Sequence, residues 1–288
     1  MTSRTLASRR HVTSRDGTRI GFLQQGRGPG LVLVQGAMGT AEHYRELADA
    51  LSRHFSVHSV DRRGRGMSPR PYDSDHDIAR DVEDVDAVLA ETGATRVFGL
   101  SSGAVITLEA TRTLPRVERA AVYEPPFYPE GISWAQIRRL EGEIDRGDLP
   151  SALITALRAA GTAPAPVRVL PHRVLRVLAA GVLAADAHAP GPAHMELRQL
   201  LPGIRYDFNA VGGMDGKIQT LSTIEQPVLL LSGTRSPAFL QQSVRTLEGI
   251  LPRAERVELE GLSHSGPWNA SRGGRPALVA EALRRFFT

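Results

Sequence analysis

The chain has 288 residues, of which 41% are apolar and 23% are charged, as expected for a folded protein with a large core. Its formal net charge is only +4, and its arginines are scattered among acids, so a mixed-charge surface is favoured over a nucleic-acid-binding face. The chain contains no cysteine, which excludes disulfides, thiolate catalysis and cysteine-ligated zinc.

Neither a secretory signal nor a membrane span is predicted. The N-terminal stretch carries charges without an apolar segment, unlike a signal peptide. The longest apolar run, Val177–Ala185, is too short to cross a bilayer. We therefore expect a cytoplasmic protein that does not contact membranes.

The first half of the chain alternates between strand and helix patterns. A hairpin is predicted where His11–Ser14 and Thr18–Gln24 flank Asp16-Gly17. Later strands are predicted at Leu31–Val34, Phe55–Val60, Thr95–Leu100 and Val117–Tyr123, and helices from Thr40, over Ser74–Thr92 and over Gly103–Leu114. Alternation at this spacing predicts a parallel sheet with right-handed crossovers.

The same alternation returns near the C-terminus after a different middle segment. It predicts strands at Pro227–Gly233 and Arg256–Leu259, a helix over Pro237–Ile250 and a closing helix with Val279, Ala282, Leu283 and Phe286 on one face. Between the halves, helices are predicted at Ser133–Arg146, Leu149–Ala160, Val167–Ala185 and near Met195–Leu200. We predict an α/β fold whose core comprises residues 1–126 and 217–288, interrupted by a helical cap insertion at 127–216.

The sequence Gly99-Leu100-Ser101-Ser102-Gly103 fits G-x-S-x-G between a predicted strand and a predicted helix. A serine on so sharp a turn needs small neighbours, and its hydroxyl then stands at the carboxyl edge of the sheet above a helix N-terminus. Ser101 is therefore the candidate nucleophile. The alternative is an ordinary Ser/Gly capping turn.

With this motif and three further segments the chain resembles the α/β-hydrolase superfamily, in its serine-nucleophile, cap-containing form. The further segments are Val34-Gln35-Gly36-Ala37-Met38, Asp61–Ser68 and the GLSH that ends at His264. The resemblance implies an oxyanion hole formed by the backbone N–H groups of Ala37 and Ser102. Gln35 departs from the histidine usual in the family, which bears on loop support more than on chemistry.

The serine needs a base to take its proton, and four histidines follow it: His172, His188, His194 and His264. Only His264 follows a predicted sheet strand, so only it should reach the edge that carries Ser101. We predict that His264 is the general base, the alternative being a surface-loop histidine.

The third residue of a serine-histidine-acid triad, the acid, is not at the position that it often occupies in the family. No Asp or Glu occurs from Gln226 through Leu247, and Ser236 stands where many family members carry the acid. Some members carry it after the preceding strand, where this chain has Glu124. Glu124 keeps the order serine, acid, histidine and is our candidate, with a Ser–His dyad or an acid from elsewhere as alternatives.

These residues predict a serine hydrolase that cleaves an ester, lactone or thioester of a hydrophobic small molecule without a cofactor or metal. An acyltransferase, cyclase or lyase on this scaffold is one alternative, and a non-catalytic small-molecule-binding protein is another. Arg62 and Arg63 are interpreted as structural rather than as contacts to an anionic substrate. Met38 and Trp268 are candidates to border the pocket, with core packing as the alternative.

Overall fold

The computed structural model describes residues 7–188 and 195–288. Within these residues eight strands form one sheet in the order β1-β2-β4-β3-β5-β6-β7-β8. The strands are β1 Ser8–Thr13, β2 Arg19–Gln25, β3 Gly30–Val34, β4 Ser56–Val60, β5 Arg96–Leu100, β6 Arg119–Tyr123, β7 Val228–Gly233 and β8 Ala254–Leu259.

The sheet is antiparallel at one end and parallel elsewhere. The hairpin β1–β2 pairs antiparallel, as does β2 with β4, whereas all pairs from β4–β3 to β7–β8 are parallel. The hairpin turn uses the left-handed conformation of Gly17, at φ 82°, and the Asp16 carboxylate accepts a hydrogen bond from the Thr18 N–H. The predicted hairpin and parallel sheet are both present.

Eleven α-helices connect or flank these strands in the described residues. They are α1 Arg45–Leu51, α2 Ile78–Thr92, α3 Ser102–Thr113, α4 Trp134–Asp145, α5 Leu149–Ala159, α6 Ala165–Val169, α7 His172–Asp186, α8 Leu197–Leu200, α9 Ile204–Gly213, α10 Ala238–Ile250 and α11 Pro276–Phe287. Helices α4 to α9 all lie between β6 and β7 in the chain, where the cap insertion is predicted.

Helices cover both faces of the sheet because the central strands are apolar on both sides. Successive strand residues point to opposite faces, so Val32 and Val34 pack with α2, α3 and α10. Leu31 and Leu33 pack on the other face with α1 and α11. The α/β-hydrolase-type fold predicted from the sequence is confirmed. It brings the carboxyl ends of β3, β5, β6, β7 and β8 to one edge.

Two local predictions differ from the structure, and one helix forms where none is predicted. Helix α2 begins at Ile78 rather than Ser74, because the Asp77 side chain caps it by accepting from the Arg80 N–H. The predicted helix Val167–Ala185 is two helices, since Pro171, the N-cap of the second one, disfavours helical geometry in the residue before it. Helix α9 was not predicted at all.

None of the helices in residues 7–188 and 195–288 is long and apolar enough to span a membrane.

Candidate active site

Ser101 forms the sharp turn between β5 and α3. Its backbone has φ 55° and ψ −123°, a positive φ that side-chain-bearing residues rarely adopt and that marks strain held by the surrounding structure. The Ser101 N–H donates to the carbonyl of Tyr123 at 2.9 Å, which ties the turn to the neighbouring strand β6. The strained strand-to-helix turn expected of G-x-S-x-G is therefore present.

The glycines around Ser101 are required by close packing. A Cβ at Gly103 would lie 2.3 Å from the Gln35 carbonyl oxygen, and one at Gly99 would lie 2.3 Å from the Gly103 carbonyl oxygen. A Cβ at Gly36 would lie 3.0 Å from the Ser101 Cβ. The loop after β3 therefore presses directly against the serine turn, and only residues without a side chain fit there.

His264 lies after β8 and contacts Glu124. Its Nδ1 is 2.6 Å from Glu124 Oε2. Because an ionised carboxylate only accepts hydrogen bonds, Nδ1 carries the proton and Nε2 is left as an acceptor. The His264 side chain is 27% exposed whereas that of Glu124 is fully buried, so the imidazole joins a buried carboxylate to the open site.

Glu124 is itself held in place at the end of β6. Its second oxygen, Oε1, accepts the Gly233 N–H at 2.7 Å, and its own N–H donates to the Leu231 carbonyl. The residue has φ 49°, which turns the chain out of the sheet directly after the strand. Ser236, where many family members carry the acid, is buried, and the carboxylate beside His264 comes from Glu124.

The loop that carries Ala37 is supported by Asp61. The Gln35 amide donates to Asp61 Oδ1 at 3.4 Å, and the same carboxylate accepts the N–H groups of Ala41 at 2.6 Å and Met67 at 2.8 Å. Burial raises the pKa of the Asp61 carboxyl, although these donors oppose the shift. The glutamine that replaces the usual histidine thus contacts the turn after β4.

Ser102 is the first residue of α3, so its backbone N–H has no acceptor within the helix and is free to serve as a donor beside Ser101. Its hydroxyl donates to Asp207 Oδ1 at 2.7 Å and accepts from Arg62 at 3.0 Å. Asp207 lies on α9 and was missed in the sequence. Its spacing from Ile204, Phe208 and Val211, all buried, could have revealed it as a carboxylate on an apolar helix face.

Arg62 and Arg63 are buried and paired with carboxylates. Arg62 pairs with Asp81 and Asp207, and Arg63 pairs with Asp84 and Asp16. Removing either member of such a buried pair would leave an uncompensated charge inside the protein. The geometry agrees with the structural interpretation of both residues.

A cavity of about 480 Å³ opens above Ser101. Ser101, Ser102, His264 and Asp207 line it together with apolar side chains from α5, α9 and the flanking loops. These apolar residues include Met38, Leu153, Leu157, Leu201, Ile204, Phe208, Val211, Leu240 and Trp268. The two candidate pocket residues Met38 and Trp268 thus both border the cavity.

The other downstream histidines lie elsewhere. His172 begins α7 and His188 follows its end, and neither lines the cavity. His194 lies outside the described residues. Among residues 7–188 and 195–288, no group of three or more His, Asp or Glu side chains is arranged to hold a metal ion.

Comparison with known proteins shows which protein family the chain matches. Residues 31–282 match the model of the alpha/beta hydrolase family. The chain is 28% identical over 276 residues to a pimeloyl-[acyl-carrier protein] methyl ester esterase of Xanthomonas campestris, covering 91% of this chain and 96% of that protein. An alpha/beta hydrolase from Sphaerobacter thermophilus superposes with a TM-score of 0.78 at 29% identity, covering 97% of this chain and 100% of that one. A thermophilic esterase from Thermogutta terrifontis superposes with a TM-score of 0.73 at 17% identity, covering 98% of each chain, and so shares the fold.

Proposed function

The chain belongs to the α/β-hydrolase family, and we propose that it is a serine hydrolase that cleaves an ester, lactone or thioester of a hydrophobic small molecule. The observation that carries the proposal is the arrangement of three side chains. Ser101 and His264 line one cavity, and His264 Nδ1 lies 2.6 Å from the buried carboxylate of Glu124. This is the order of roles in a Ser-His-acid triad.

In the proposed reaction, Ser101 Oγ attacks the substrate carbonyl carbon while His264 Nε2 takes the hydroxyl proton. The carbonyl oxygen becomes an oxyanion that accepts hydrogen bonds from the N–H groups of Ala37 and Ser102. Collapse of this intermediate expels the alcohol or thiol, which receives the proton from His264. In the second half of the reaction, His264 takes a proton from a water molecule that attacks the acyl carbon. Collapse of this intermediate breaks the bond to Ser101 Oγ, releases the carboxylic acid and returns the proton from His264 to Ser101.

Glu124 serves two purposes in this scheme. Its hydrogen bond keeps the proton on Nδ1, so that Nε2 can accept from Ser101, and its negative charge stabilises the imidazolium that forms. Because Glu124 is fully buried, water does not screen that charge. A histidine held in this way weighs against the non-catalytic alternative.

The walls of the cavity favour a largely apolar substrate. Its volume of about 480 Å³ lies within the range of roughly 300–1,000 Å³ common for small-molecule sites. We propose that residues 127–216 act as a cap, since α5 and α9 contribute Leu153, Leu157 and Phe208 to the cavity. The Xanthomonas campestris relative is named for the methyl ester of an acyl chain, which supports an acyl ester as the first substrate class to test.

The test combines turnover with covalent labelling. We expect hydrolysis of p-nitrophenyl esters, and labelling by a fluorophosphonate that maps by mass spectrometry to the peptide containing Ser101. Ser101→Ala should abolish both while leaving the circular dichroism spectrum unchanged. Near-wild-type activity in Ser101→Ala would contradict the proposal and make Ser102 the next candidate nucleophile. Ligand binding without any labelling of the wild type would instead support a binding protein.

A further inference from the structure

Asp207 joins helix α9 to the loop and the turn that carry both proposed oxyanion donors. It is 3% exposed and lines the cavity beside Ser101. Its carboxylate accepts from Ser102 Oγ, from Arg62 and from Arg65. A buried carboxylate with this many donors is fixed in position, and it serves as a common anchor for the groups bonded to it.

The first connection runs through Ser102. Its hydroxyl donates to Asp207 at 2.7 Å and accepts from Arg62 at 3.0 Å, so both hydrogen-bonding roles of the side chain are used. Because Ser102 begins α3 directly after the strained Ser101, fixing its side chain also fixes the direction of its backbone N–H.

The second connection runs through Arg65. One guanidinium nitrogen donates to Asp207 at 2.7 Å, and the other approaches the Gly36 carbonyl oxygen at 3.4 Å. That carbonyl belongs to the same planar trans peptide as the Ala37 N–H, so the two groups point in opposite directions. A contact that orients the Gly36 oxygen therefore also orients the Ala37 N–H.

The remaining charges extend this buried cluster. Arg62 also pairs with Asp81 at 3.2 Å, and Asp81 accepts from His76 at 2.8 Å. Arg65 donates further to the Gly203 carbonyl at 3.1 Å, just before α9. The oxygens of Asp207 are thus engaged by the protein, and this arrangement suits orientation rather than proton transfer to a substrate.

We propose that Asp207 is a positioning residue that sets the direction of both oxyanion-hole N–H groups, one through Ser102 and one through Arg65 and the Gly36–Ala37 peptide. The inference rests on the proposed function, because it needs an oxyanion to form on the substrate. It assigns to helix α9 a role in the chemical step in addition to its place in the cavity wall.

The test uses Asp207→Asn and Ser102→Ala, with Asp145→Asn as the matched control. Asp207→Asn keeps the volume but replaces an acceptor by a donor that faces the cluster. Ser102→Ala removes only the hydroxyl connection, leaves the charges paired and serves as the deciding variant if Asp207→Asn does not fold. The control breaks the ion pair of Asp145 with Arg205, which also anchors α9 but lies at the surface.

The readouts are kcat and KM on p-nitrophenyl acetate and p-nitrophenyl octanoate, and the affinity for an aliphatic trifluoromethyl ketone. Ser101 Oγ adds to the carbonyl carbon of this inhibitor, its proton passes to His264, and the former carbonyl oxygen becomes an oxyanion in the site. Because removing one oxyanion donor costs about 10²–10³ in kcat, we expect misdirected donors to lower kcat roughly 30-fold in Asp207→Asn. For Ser102→Ala we expect roughly fivefold, since only one connection is lost.

KM for the acetate should stay within about twofold, and ketone affinity should fall in parallel with kcat/KM. The control should match wild type in both.

Three results would overturn the inference. The first is wild-type kcat in the folded Asp207→Asn variant, and the second is wild-type kcat and ketone affinity in Ser102→Ala. The third is a change confined to KM for long esters, which would mean that Asp207 only seats the helix. The Ser101→Ala variant distinguishes a failure of the positioning role from a failure of the proposed function. An inactive, unlabelled Ser101→Ala beside a fully active Asp207→Asn rejects the positioning role alone, whereas an active Ser101→Ala rejects both.

Discussion

Replacing Glu124 by Gln tests whether this carboxylate acts on His264. The substitution keeps the volume of the side chain and removes its charge at a position that is fully buried. The two hydrogen bonds of Glu124 decide how the amide must sit. Oε1 accepts the Gly233 N–H at 2.7 Å, and Oε2 lies 2.6 Å from His264 Nδ1.

The Gly233 N–H can only donate, so the amide oxygen of Gln must face it, since leaving that buried N–H unpaired would cost about 1–3 kcal/mol. The amide NH₂ then faces His264 Nδ1, which must become the acceptor. The imidazole proton moves to Nε2, and that nitrogen can no longer take the proton of Ser101.

The corresponding substitution in a serine-protease triad lowers kcat roughly 10⁴-fold, about 5.5 kcal/mol of barrier. His264 is 27% exposed, so water can support a minor fraction of the productive tautomer. We therefore expect a loss on the order of 10³-fold in kcat here.

The assay is kcat on p-nitrophenyl butyrate, with folding checked by circular dichroism and thermal melting. Glu118→Gln is the matched control, because Glu118 precedes the other end of β6 and its carboxylate accepts a hydrogen bond from the Thr95 hydroxyl at the surface. It should keep wild-type kcat. If Glu124→Gln loses less than about threefold, the triad is refuted, and a Ser–His dyad or another acid becomes the better account.

Three further changes have defined outcomes. Gly103→Ala places a Cβ 2.3 Å from the Gln35 carbonyl oxygen. It should lower the free energy of unfolding by about 1–3 kcal/mol and reduce kcat, as measured by denaturant melts and ester turnover. Leu157→Trp should narrow the cavity and lower kcat/KM for octanoate more than for acetate, whereas Leu178→Trp on the exposed side of α7 should change neither.

Burial lowers the pKa of His58 from 6.5 to about 4, and Arg10 adds to this shift. As the pH falls, His58 therefore becomes protonated in the unfolded chain before it does in the folded protein. The free energy of unfolding should fall by up to about 3 kcal/mol between pH 6.5 and 4. His58→Phe should flatten that part of the pH profile, and an unchanged slope would contradict the assignment.

The central strands could be predicted where they are buried on both faces and therefore read as continuous apolar runs. Leu31–Val34 and Pro227–Gly233 were predicted within one residue of β3 and β7. Helix ends were harder to predict, because a single capping residue can decide where a helix begins or ends. Asp77 caps the start of α2, and Pro171 separates α6 from α7. Each acts locally, within a stretch whose apolar residues keep a helical spacing on both sides of it.

The part of the site that could not be predicted is the part that depends on tertiary contacts. Asp207 acts through Ser102, which is 105 positions away in the chain, and no local spacing relates the two residues. A lone aspartate in a helix is normally a solvent-facing residue. Only the buried neighbours of Asp207 on α9, and the two arginines in the turn after β4, reveal that it is paired inside the protein.

The position of the acid shows why the topology allows it to change strands. Strands β6 and β7 are parallel neighbours, and Tyr123 is in register with Leu231, so their carboxyl ends lie side by side at the edge that His264 also reaches. A carboxylate at either strand end can approach the same imidazole nitrogen. Glu124 reaches it from β6 while its other oxygen binds the N–H of Gly233, the last residue of β7. Strand β7, at whose end many family members carry the acid, thus supplies a donor that holds Glu124, and the negative charge stays buried at the place where an imidazolium would form.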